Sequence, residues 1–513
     1  MADRHHVQSP ATAPAAALAP SSGHSRAADR VKGCPFSPEN PSPQTHHPYR
    51  RCFGMLPDHL HPSVEHLVAL GAAFRFNDTD QEAETDIPVG YTYLCQLVFH
   101  ELTFMVVPAA GASPFNRHSG RLELDSVFGE LPARDGRAAP LPVGRTIPHG
   151  RPSDLPRDRT GRASLCDTRS DDNLPLAQTH VAVLRFHNAI VAACPGLSRS
   201  DARALAVAHF QSVVLHDLLP RLVDPAVYED VMANGRCVVH AAPEIDDDFA
   251  IPLEFAAACA RFGHAMIRNL YRCWNTENPG ARLYAFWRNT FNSSDRPLDG
   301  TGDLARTRLF DDWIADWARL LGDPPGRFGL PPLLASRIDT VFAHPLSQIP
   351  QQALPQLAAS SLQPSSNIAT FSLLRGLSLR LNSGPEVAER ILGALRTQGR
   401  PCFRLLAPQE MLRDEPDEVR RLLTLSTGDG GGTLAEHPPL WLYVLKEAAI
   451  LKNGMRLGPV GSRIVMETLH AAIEAARPSI LDSGWRPDPR LRPSHPDRYS
   501  FPDLIAFAGL STP

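Results

Sequence analysis

One apolar segment with three basic residues set into it limits the folds open to this chain more than any other feature. The segment is PLEFAAACARFGHAMIRNLY, Pro252 to Tyr271. Its apolar side chains recur at helical spacing, which predicts a helix that is buried on most of its circumference. Arg261, His264 and Arg268 lie at positions i−3, i and i+4, so we expect them on one side of that helix. Buried charges without partners are costly, so this segment needs a compensating group.

A large anionic ligand beside the helix would compensate both guanidiniums. Haem fits this description, because an imidazole can bind its iron and arginines can pair with its propionates. The alternative is a core histidine that is hydrogen-bonded to a neighbour, with arginines whose charged ends reach the surface.

Composition excludes several classes of protein. The formal net charge is −4, which gives no reason to expect nucleic-acid binding. No apolar run reaches the roughly 18 residues that a membrane span requires. The beginning of the chain lacks the continuous apolar region of a secretory signal, so a cytoplasmic location is the default expectation. The 9 cysteines include no CxxC pair, which favours reduced thiols over a zinc site.

Proline content predicts how the helices are connected. The chain of 513 residues contains 49 prolines, about twice the usual share, and they concentrate between the helical segments. Residues 1–48 are rich in Ala, Pro, Ser and His and are predicted to be disordered or loosely attached. In the C-terminal third, periodicity predicts helices at residues 385–397, 408–414, 416–425, 438–452 and 458–475.

A second apolar segment, Ile87 to Val106, has few strongly polar residues. Its length favours a helix over a buried strand. On a helix Gln96 and His100 are i, i+4 neighbours and present an amide and an imidazole to one pocket, whereas Glu101 points elsewhere. The alternative is again a core histidine with a hydrogen-bond partner.

The stretch SGRLELDSVFG, Ser119 to Gly129, places several hard oxygen ligands close together. Ser119, Glu123, Asp125 and an intervening carbonyl are groups that Ca²⁺ prefers, and Glu101 is a further carboxylate. The alternative is a solvated acidic turn.

Together these segments resemble the animal haem peroxidase family, in its bacterial branch, from about residue 50 to the C-terminus. YTYLCQLVFHELTF is similar to the family's distal helix, with Gln96 and His100 on the distal glutamine and histidine. CDTRSDDN, continued by THVAVLRFHN, is similar to the segment with the catalytic arginine, here Arg169. ARFGHAMIR is similar to the proximal helix, with His264 as the iron ligand. FSLLRG and PLWLYVLKEAAILKNGMRLGPVGSRIV resemble later helices of the family.

The resemblance implies a mainly α fold, with one large helical haem-peroxidase-like domain at residues 49–513, long proline-rich loops and little β-structure. It also implies a haem-dependent peroxidase that uses hydrogen peroxide and a reducing small molecule. His100 would act as acid and base, Arg169 would stabilise developing negative charge, and Gln96 would order water or halide. His264 would be the axial ligand.

The resemblance further implies that Arg261 and Arg375 face the propionates. Three departures concern how haem is held. Phe99 stands where many members have an aspartate that is ester-linked to haem, and Asp172 is shorter than the glutamate of the second ester link. Haem b is therefore expected to be bound non-covalently. Ser372 stands where the family has an asparagine that accepts a hydrogen bond from the proximal histidine.

The family's calcium loop aligns with an altered set of ligands. The aligned residues are Ser119, Arg121 through its carbonyl, Glu123, Asp125 and Glu101, the last standing where the family has aspartate. Ca²⁺ bound beside haem, and a loop without Ca²⁺, therefore both stay open.

One further position separates the branches of the family. The cyclooxygenase and dioxygenase branches place a tyrosine three residues before the proximal histidine, and this chain has Arg261 there. We therefore expect peroxidase-type oxidation. Two alternatives stay open: a haem enzyme that inserts oxygen into one specific metabolite, and a haem-free relative that acts by binding. The sequence specifies neither the second substrate nor the oligomeric state.

Overall fold

Helices make up most of the regular structure in the part of the chain that the computed structural model describes. That part comprises residues 46–77, 84–107, 113–129, 136–159, 161, 163–239, 249–272, 274–275, 282–284, 308–322, 331–349, 366–427, 432–482 and 484–511. These residues lie in the compact unit Cys34–Pro513. Apart from residues 46–48, the predicted N-terminal segment lies outside the described residues.

The α-helices follow one another along the chain with short 3-10 turns between some of them. They are α1 Val64–Ala73, α2 Val89–Leu102, α3 Asp125–Phe128, α4 Leu174–Ala193, α5 Arg199–Val213, α6 Leu219–Leu222, α7 Pro225–Asn234, α8 Leu253–Ala257, α9 Trp317–Leu321, α10 Ile368–Ser378, α11 Gly384–Thr397, α12 Pro408–Met411, α13 Asp417–Thr424, α14 Leu440–Lys452, α15 Pro459–Glu474 and α16 Phe501–Phe507. A π-helical stretch, Val214–Leu218, joins α5 to α6.

Strands are short and pair only in small ladders. They are β1 His47–Pro48, β2 Arg75–Asn77, β3 Glu84–Pro88, β4 Met105–Val106, β5 Phe115–Asn116, β6 Leu270–Arg272, β7 Arg282–Tyr284, β8 Leu334–Ser336 and β9 Val341–Ala343. The ladders are β1–β5–β4, β3–β8 and β6–β7, which are antiparallel, and β2–β9, which is parallel. The predicted mainly helical fold with little β-structure is confirmed.

Helix α2 runs through the middle of the hydrophobic core. It begins after Pro88, contacts α4, and is buried along nearly its whole length. Its C-terminal end is closed by the side chain of Asn116, which donates to the Leu102 carbonyl at 2.8 Å and accepts from the Phe104 amide at 2.6 Å. The predicted helix over this segment is confirmed.

The predicted single helix from Pro252 to Tyr271 is wrong. Helix α8 ends at Ala257, Ala258 takes a non-helical conformation, and the chain continues as a 3-10 helix, Cys259–His264. Residues beyond it leave the helical path and form β6, which pairs with β7. Apolar spacing over six residues does not separate a 3-10 from an α-helix, because both repeat in three to four residues.

None of the helices in the described part of the chain is long and apolar enough to cross a bilayer.

Candidate active site

Helix α2 places Gln96 and His100 one turn apart, as predicted. The ring Nδ1 of His100 is buried and has no hydrogen-bond partner among the described residues. Burial, and secondly the charge of Arg169, lower the pKa of His100 to about 3. The imidazole is therefore neutral at physiological pH. The side-chain oxygen of Gln96 accepts from Asn173 at 3.2 Å, which connects α2 to the residue that caps α4.

Arg169 lies against the C-terminal end of α2. It belongs to the 3-10 turn Thr168–Asp171. Its Nη1 donates to the Thr103 carbonyl at 2.7 Å, and its Nη2 donates to the His100 carbonyl at 2.9 Å. The guanidinium also lies 4.3 Å from the centre of the Phe104 ring. The structure thus brings the predicted arginine to the predicted histidine.

Asp167 holds this arginine in place and was missed by the sequence analysis. Its carboxylate accepts from Nε of Arg169 at 3.0 and 3.1 Å and from Nη2 at 2.5 Å. It also contacts Nε2 of His118 at 3.1 Å. Burial raises the pKa of Asp167, but Arg169 and His118 outweigh it and keep this pKa well below its usual range. An aspartate two residues before the arginine was the available signal.

His264 ends the 3-10 helix Cys259–His264, and both α2 and α14 contact this turn. Its Nδ1 is buried without a hydrogen-bond partner among the described residues. Burial, and secondly Arg261, lower the pKa of His264 to about 3. A neutral imidazole is the form that binds a metal ion.

The bond anticipated between Ser372 and His264 is not formed. Ser372 lies on α10, and its hydroxyl donates to the Ile368 carbonyl of its own helix at 2.8 Å. Among the described residues, His264 is therefore without the hydrogen bond that an asparagine provides in the family.

Arg261 and Arg375 form a buried cationic pair. Each guanidinium lies 5.0 Å from the centre of the Phe371 ring. Nε of Arg261 has no hydrogen-bond partner among the described residues, and Nη1 of Arg375 meets only the sulfur of Met105, at 3.0 Å. Burial lowers the pKa of both, to about 9 for Arg261, where the charge of Arg375 contributes next.

Tyr49 lies close enough to these arginines to feel their charge and was also missed, because nothing in its sequence context distinguishes it. Its hydroxyl is buried without a partner among the described residues. Burial raises the pKa of this phenol, while the positive charges of Arg169, Arg375 and Arg261 act in the opposite direction. A phenol near three guanidiniums is a further donor to an anion.

Arg268 does not join this group, contrary to the sequence expectation. It forms an ion pair with Glu84 and donates to the Leu334 carbonyl at 3.0 Å. The break in the helical path after His264 is the reason, because it removes the i+4 relation.

The two positions of the family's ester links differ in environment. Phe99 packs edge-on against Phe255 and Phe262, with ring centres 5.3 and 5.9 Å away. Asp172 carries a buried carboxyl, and burial raises its pKa well above the usual value although Arg169 opposes this.

The predicted calcium ligands are only partly brought together. Glu101 accepts from the amides of Asp125 and Ser126 at 2.6 and 2.8 Å. Burial, and secondly Asp125, raise the pKa of Glu101 to about 7. Glu123 turns to the amide of Arg477. Among the described residues, no group of three or more His, Cys, Asp or Glu side chains is arranged to hold a metal ion.

Sequence comparison assigns the middle of the chain to a family. Residues 118–310 match the family model described as animal haem peroxidase. These residues are therefore similar to that family. The match includes Arg169 and His264, while Gln96 and His100 lie before it. Members of this family typically bind haem, and the similarity indicates an oxidoreductase.

Solved structures agree with this assignment at the level of the fold. Peroxidase A from Dictyostelium discoideum is similar with a TM-score of 0.54 and 12% identity, over 91% of this chain and 94% of that one. Oryza sativa fatty acid alpha-dioxygenase is similar with a TM-score of 0.54 and 12% identity, over 86% of this chain and 77% of that one.

One curated relative matches over a short stretch. A peroxidase-like protein of Margaritifera margaritifera is 29% identical over 119 residues, which is 20% of this chain and 14% of that protein. The match thus spans only a small part of the relative's length.

Proposed function

We propose that this protein is a haem-dependent peroxidase that reduces hydrogen peroxide and oxidises a second small molecule. Haem b would be held without ester bonds, by His264 as axial ligand and by Arg261 and Arg375 at its propionates. When bound, haem supplies an iron centre that binds peroxide and takes up its oxidising equivalents.

The observation that carries this proposal is the buried, uncompensated positive charge. Arg261 and Arg375 each lie against the Phe371 ring, and neither forms an ion pair among the described residues. Uncompensated buried guanidiniums are costly, and a ligand with two carboxylates would remove the cost through charge-assisted hydrogen bonds. The neutral donor of Tyr49 lies near the same charges. The described residues therefore fit the acidic edge of haem.

The state of His100 supports a role in proton transfer. Its low pKa keeps the ring neutral, so it can accept a proton from peroxide and return it to the leaving oxygen. The Arg169 bond to the His100 carbonyl fixes the main chain at this position. Proton transfer by such a residue typically accelerates a reaction by about 10²- to 10⁴-fold.

Arg169 supports the charge that develops on the leaving oxygen. Nε donates to Asp167, and Nη2 donates to Asp167 and to the His100 carbonyl. Nη1 donates one N–H to the Thr103 carbonyl, so among the described residues its second N–H is left for a substrate. Asp167 fixes the orientation of the guanidinium and offsets part of its charge, which reduces the electrostatic gain.

The residue three positions before the proposed axial ligand favours peroxidase chemistry over oxygen insertion. Arg261 has no phenol to carry a radical, and it lies against Phe371 instead. The fold is shared with fatty acid dioxygenases, so the fold alone does not discriminate.

The first test is an absorption spectrum of the full chain with added haem, followed by hydrogen-peroxide-dependent oxidation of a phenolic dye. We expect a Soret band that is lost in His264→Ala. His100→Gln should keep the band and lose about 10²- to 10⁴-fold in rate. His59→Gln, at an exposed histidine, is the matched control and should keep both.

Other outcomes select the alternatives. The absence of a Soret band at any haem concentration would indicate the haem-free binding protein. A Soret band with oxygen incorporated into one metabolite, and without dye oxidation, would indicate the oxygen-inserting enzyme.

Extraction with acidified butanone tests the mode of haem attachment. We expect all haem to leave the protein, because Phe99 has no carboxylate and the Asp172 side chain is short. Haem retained by the wild type and released by Asp172→Asn would contradict this and would identify an ester at that residue.

A further inference from the structure

The loop that aligns with the family's calcium site already contains a cation of its own. Arg203 projects from α5 into this loop, and its Nη2 donates to the Asp125 carboxylate at 2.7 Å. The same nitrogen donates to the Glu123 carbonyl at 3.2 Å, and Nη1 donates to the Gly129 carbonyl at 2.7 Å. The guanidinium also lies 5.5 Å from the centre of the Phe128 ring.

The other predicted ligand oxygens are engaged within the protein. The Ser119 hydroxyl donates to Asp125 at 2.8 Å, and the Arg121 carbonyl accepts from the Glu123 amide at 3.0 Å. The Glu123 carboxylate accepts from the Arg477 amide at 2.7 Å. Glu101 binds two main-chain amides at the start of α3.

This arrangement does not fit calcium. Ca²⁺ takes about six to eight oxygens at roughly 2.3–2.6 Å, and the ligands must turn inward to a common point. Here Glu123 points to another segment, and a guanidinium takes the anionic oxygen of Asp125. A fixed positive charge so close to the ligands also repels a divalent cation.

We propose that Arg203 is the permanent cation of this loop and takes the place of the metal ion that the family pattern implies. The guanidinium neutralises Asp125 and connects the loop carbonyls of Glu123 and Gly129. Because Asp125 and Ser126 bind Glu101 on α2, Arg203 also connects α5 to the helix that carries His100. This inference is independent of the reaction that the protein catalyses.

Calcium dependence of the full chain tests the proposal. The melting temperature should be the same in EDTA and in calcium chloride, and terbium, a luminescent probe for calcium sites, should not bind saturably. A calcium-dependent rise in melting temperature, or saturable terbium binding that calcium competes away, would overturn the proposal without bearing on the peroxidase activity.

Substitution of the arginine gives the second measurement. Arg203→Met should lower the melting temperature by about 5 °C, because it removes the cation paired with Asp125 and the donor to two carbonyls. Arg199→Met, at an exposed arginine of the same helix, is the matched control and should leave it unchanged. Equal melting temperatures for the two variants would contradict the proposal, and the wild-type calcium measurement decides if Arg203→Met does not fold.

Discussion

At the scale of single residues, buried polar atoms without partners support the proposed haem site. Nδ1 of His100, Nδ1 of His264, Nε of Arg261 and the hydroxyl of Tyr49 all have none among the described residues. Folded proteins pair most buried polar atoms, so these four support the proposed site because a bound ligand could supply partners there. The two histidines and Arg261 were predicted from the sequence, whereas Tyr49 was not.

Tyr49 provides a prediction about haem affinity. Tyr49→Phe keeps the ring and removes only the hydroxyl, so a lost hydrogen bond to a charged group should weaken haem binding about 10-fold. Titration of the haem-free protein at the Soret maximum measures this. Tyr228→Phe, at a half-buried tyrosine of α7, should bind haem like the wild type. Unchanged affinity in Tyr49→Phe would mean that the phenol does not face the propionates.

His180 provides a prediction about acid stability. Both of its ring nitrogens lack a partner among the described residues, and burial lowers its pKa to about 4. Below about pH 6.5 the unfolded chain takes up a proton that the native state refuses, so wild-type stability falls as the pH falls. His180→Leu removes this loss and should gain about 2 kcal/mol more at pH 5 than at pH 8.

Urea unfolding of the haem-free protein at both pH values measures that difference. His59→Leu, at an exposed histidine, should show no change between the two. An equal effect of His180→Leu at pH 5 and pH 8 would show that His180 takes up a proton in the native protein as readily as in the unfolded chain.

At the scale of elements, the limits of the regular helices were easier to predict than whether a segment is an α-helix or a 3-10 helix. The C-terminal helices α11, α13, α14 and α15 begin and end within two residues of their predicted limits, whereas α12 ends three residues before its predicted limit. A proline in or directly before the first turn marks the starts of the four well-predicted helices, and their apolar spacing is continuous. The helix predicted around His264 was wrong because α8 ends at Ala257 and the chain beyond His264 forms β6, which pairs with β7.

The contact between α2 and residues 253–264 gives a prediction about packing. Phe99 fills the space between the elements against Phe255 and Phe262. Phe99→Ala should lower the free energy of unfolding by about 3–4 kcal/mol, because a buried ring leaves a cavity. Urea unfolding measures this. Phe76→Ala, at a half-buried ring, should cost less, and equal losses would show that Phe99 is not a central contact.

At the scale of the whole molecule, the proposed haem environment is assembled from segments far apart in the chain. Tyr49, Arg169, Arg261 and Arg375 come from four different parts of it. A ligand that contacts all four favours the folded chain, because the unfolded chain cannot present them together. Haem binding and global stability are therefore expected to be coupled.

Thermal unfolding with and without haem tests this coupling. At free haem about 100-fold above its dissociation constant, the wild type should gain about 2.7 kcal/mol and a melting temperature higher by a few degrees. His264→Ala should show a smaller shift at the same haem concentration. An unchanged wild-type melting temperature would contradict a binding site built from these segments.

The sequence by itself determined the helical class, the limits of the regular helices, and the family that residues 118–310 resemble. It also predicted that Gln96 and His100 lie together, because helical periodicity is a local property. Only the tertiary structure decided which polar groups meet across the chain: Asp167 and His118 at Arg169, Tyr49 beside the arginines, Arg268 at Glu84, and Arg203 in the predicted calcium loop. Such pairings depend on long-range packing, because a buried charged group pairs with whichever partner the fold places beside it. Local sequence patterns do not contain this information.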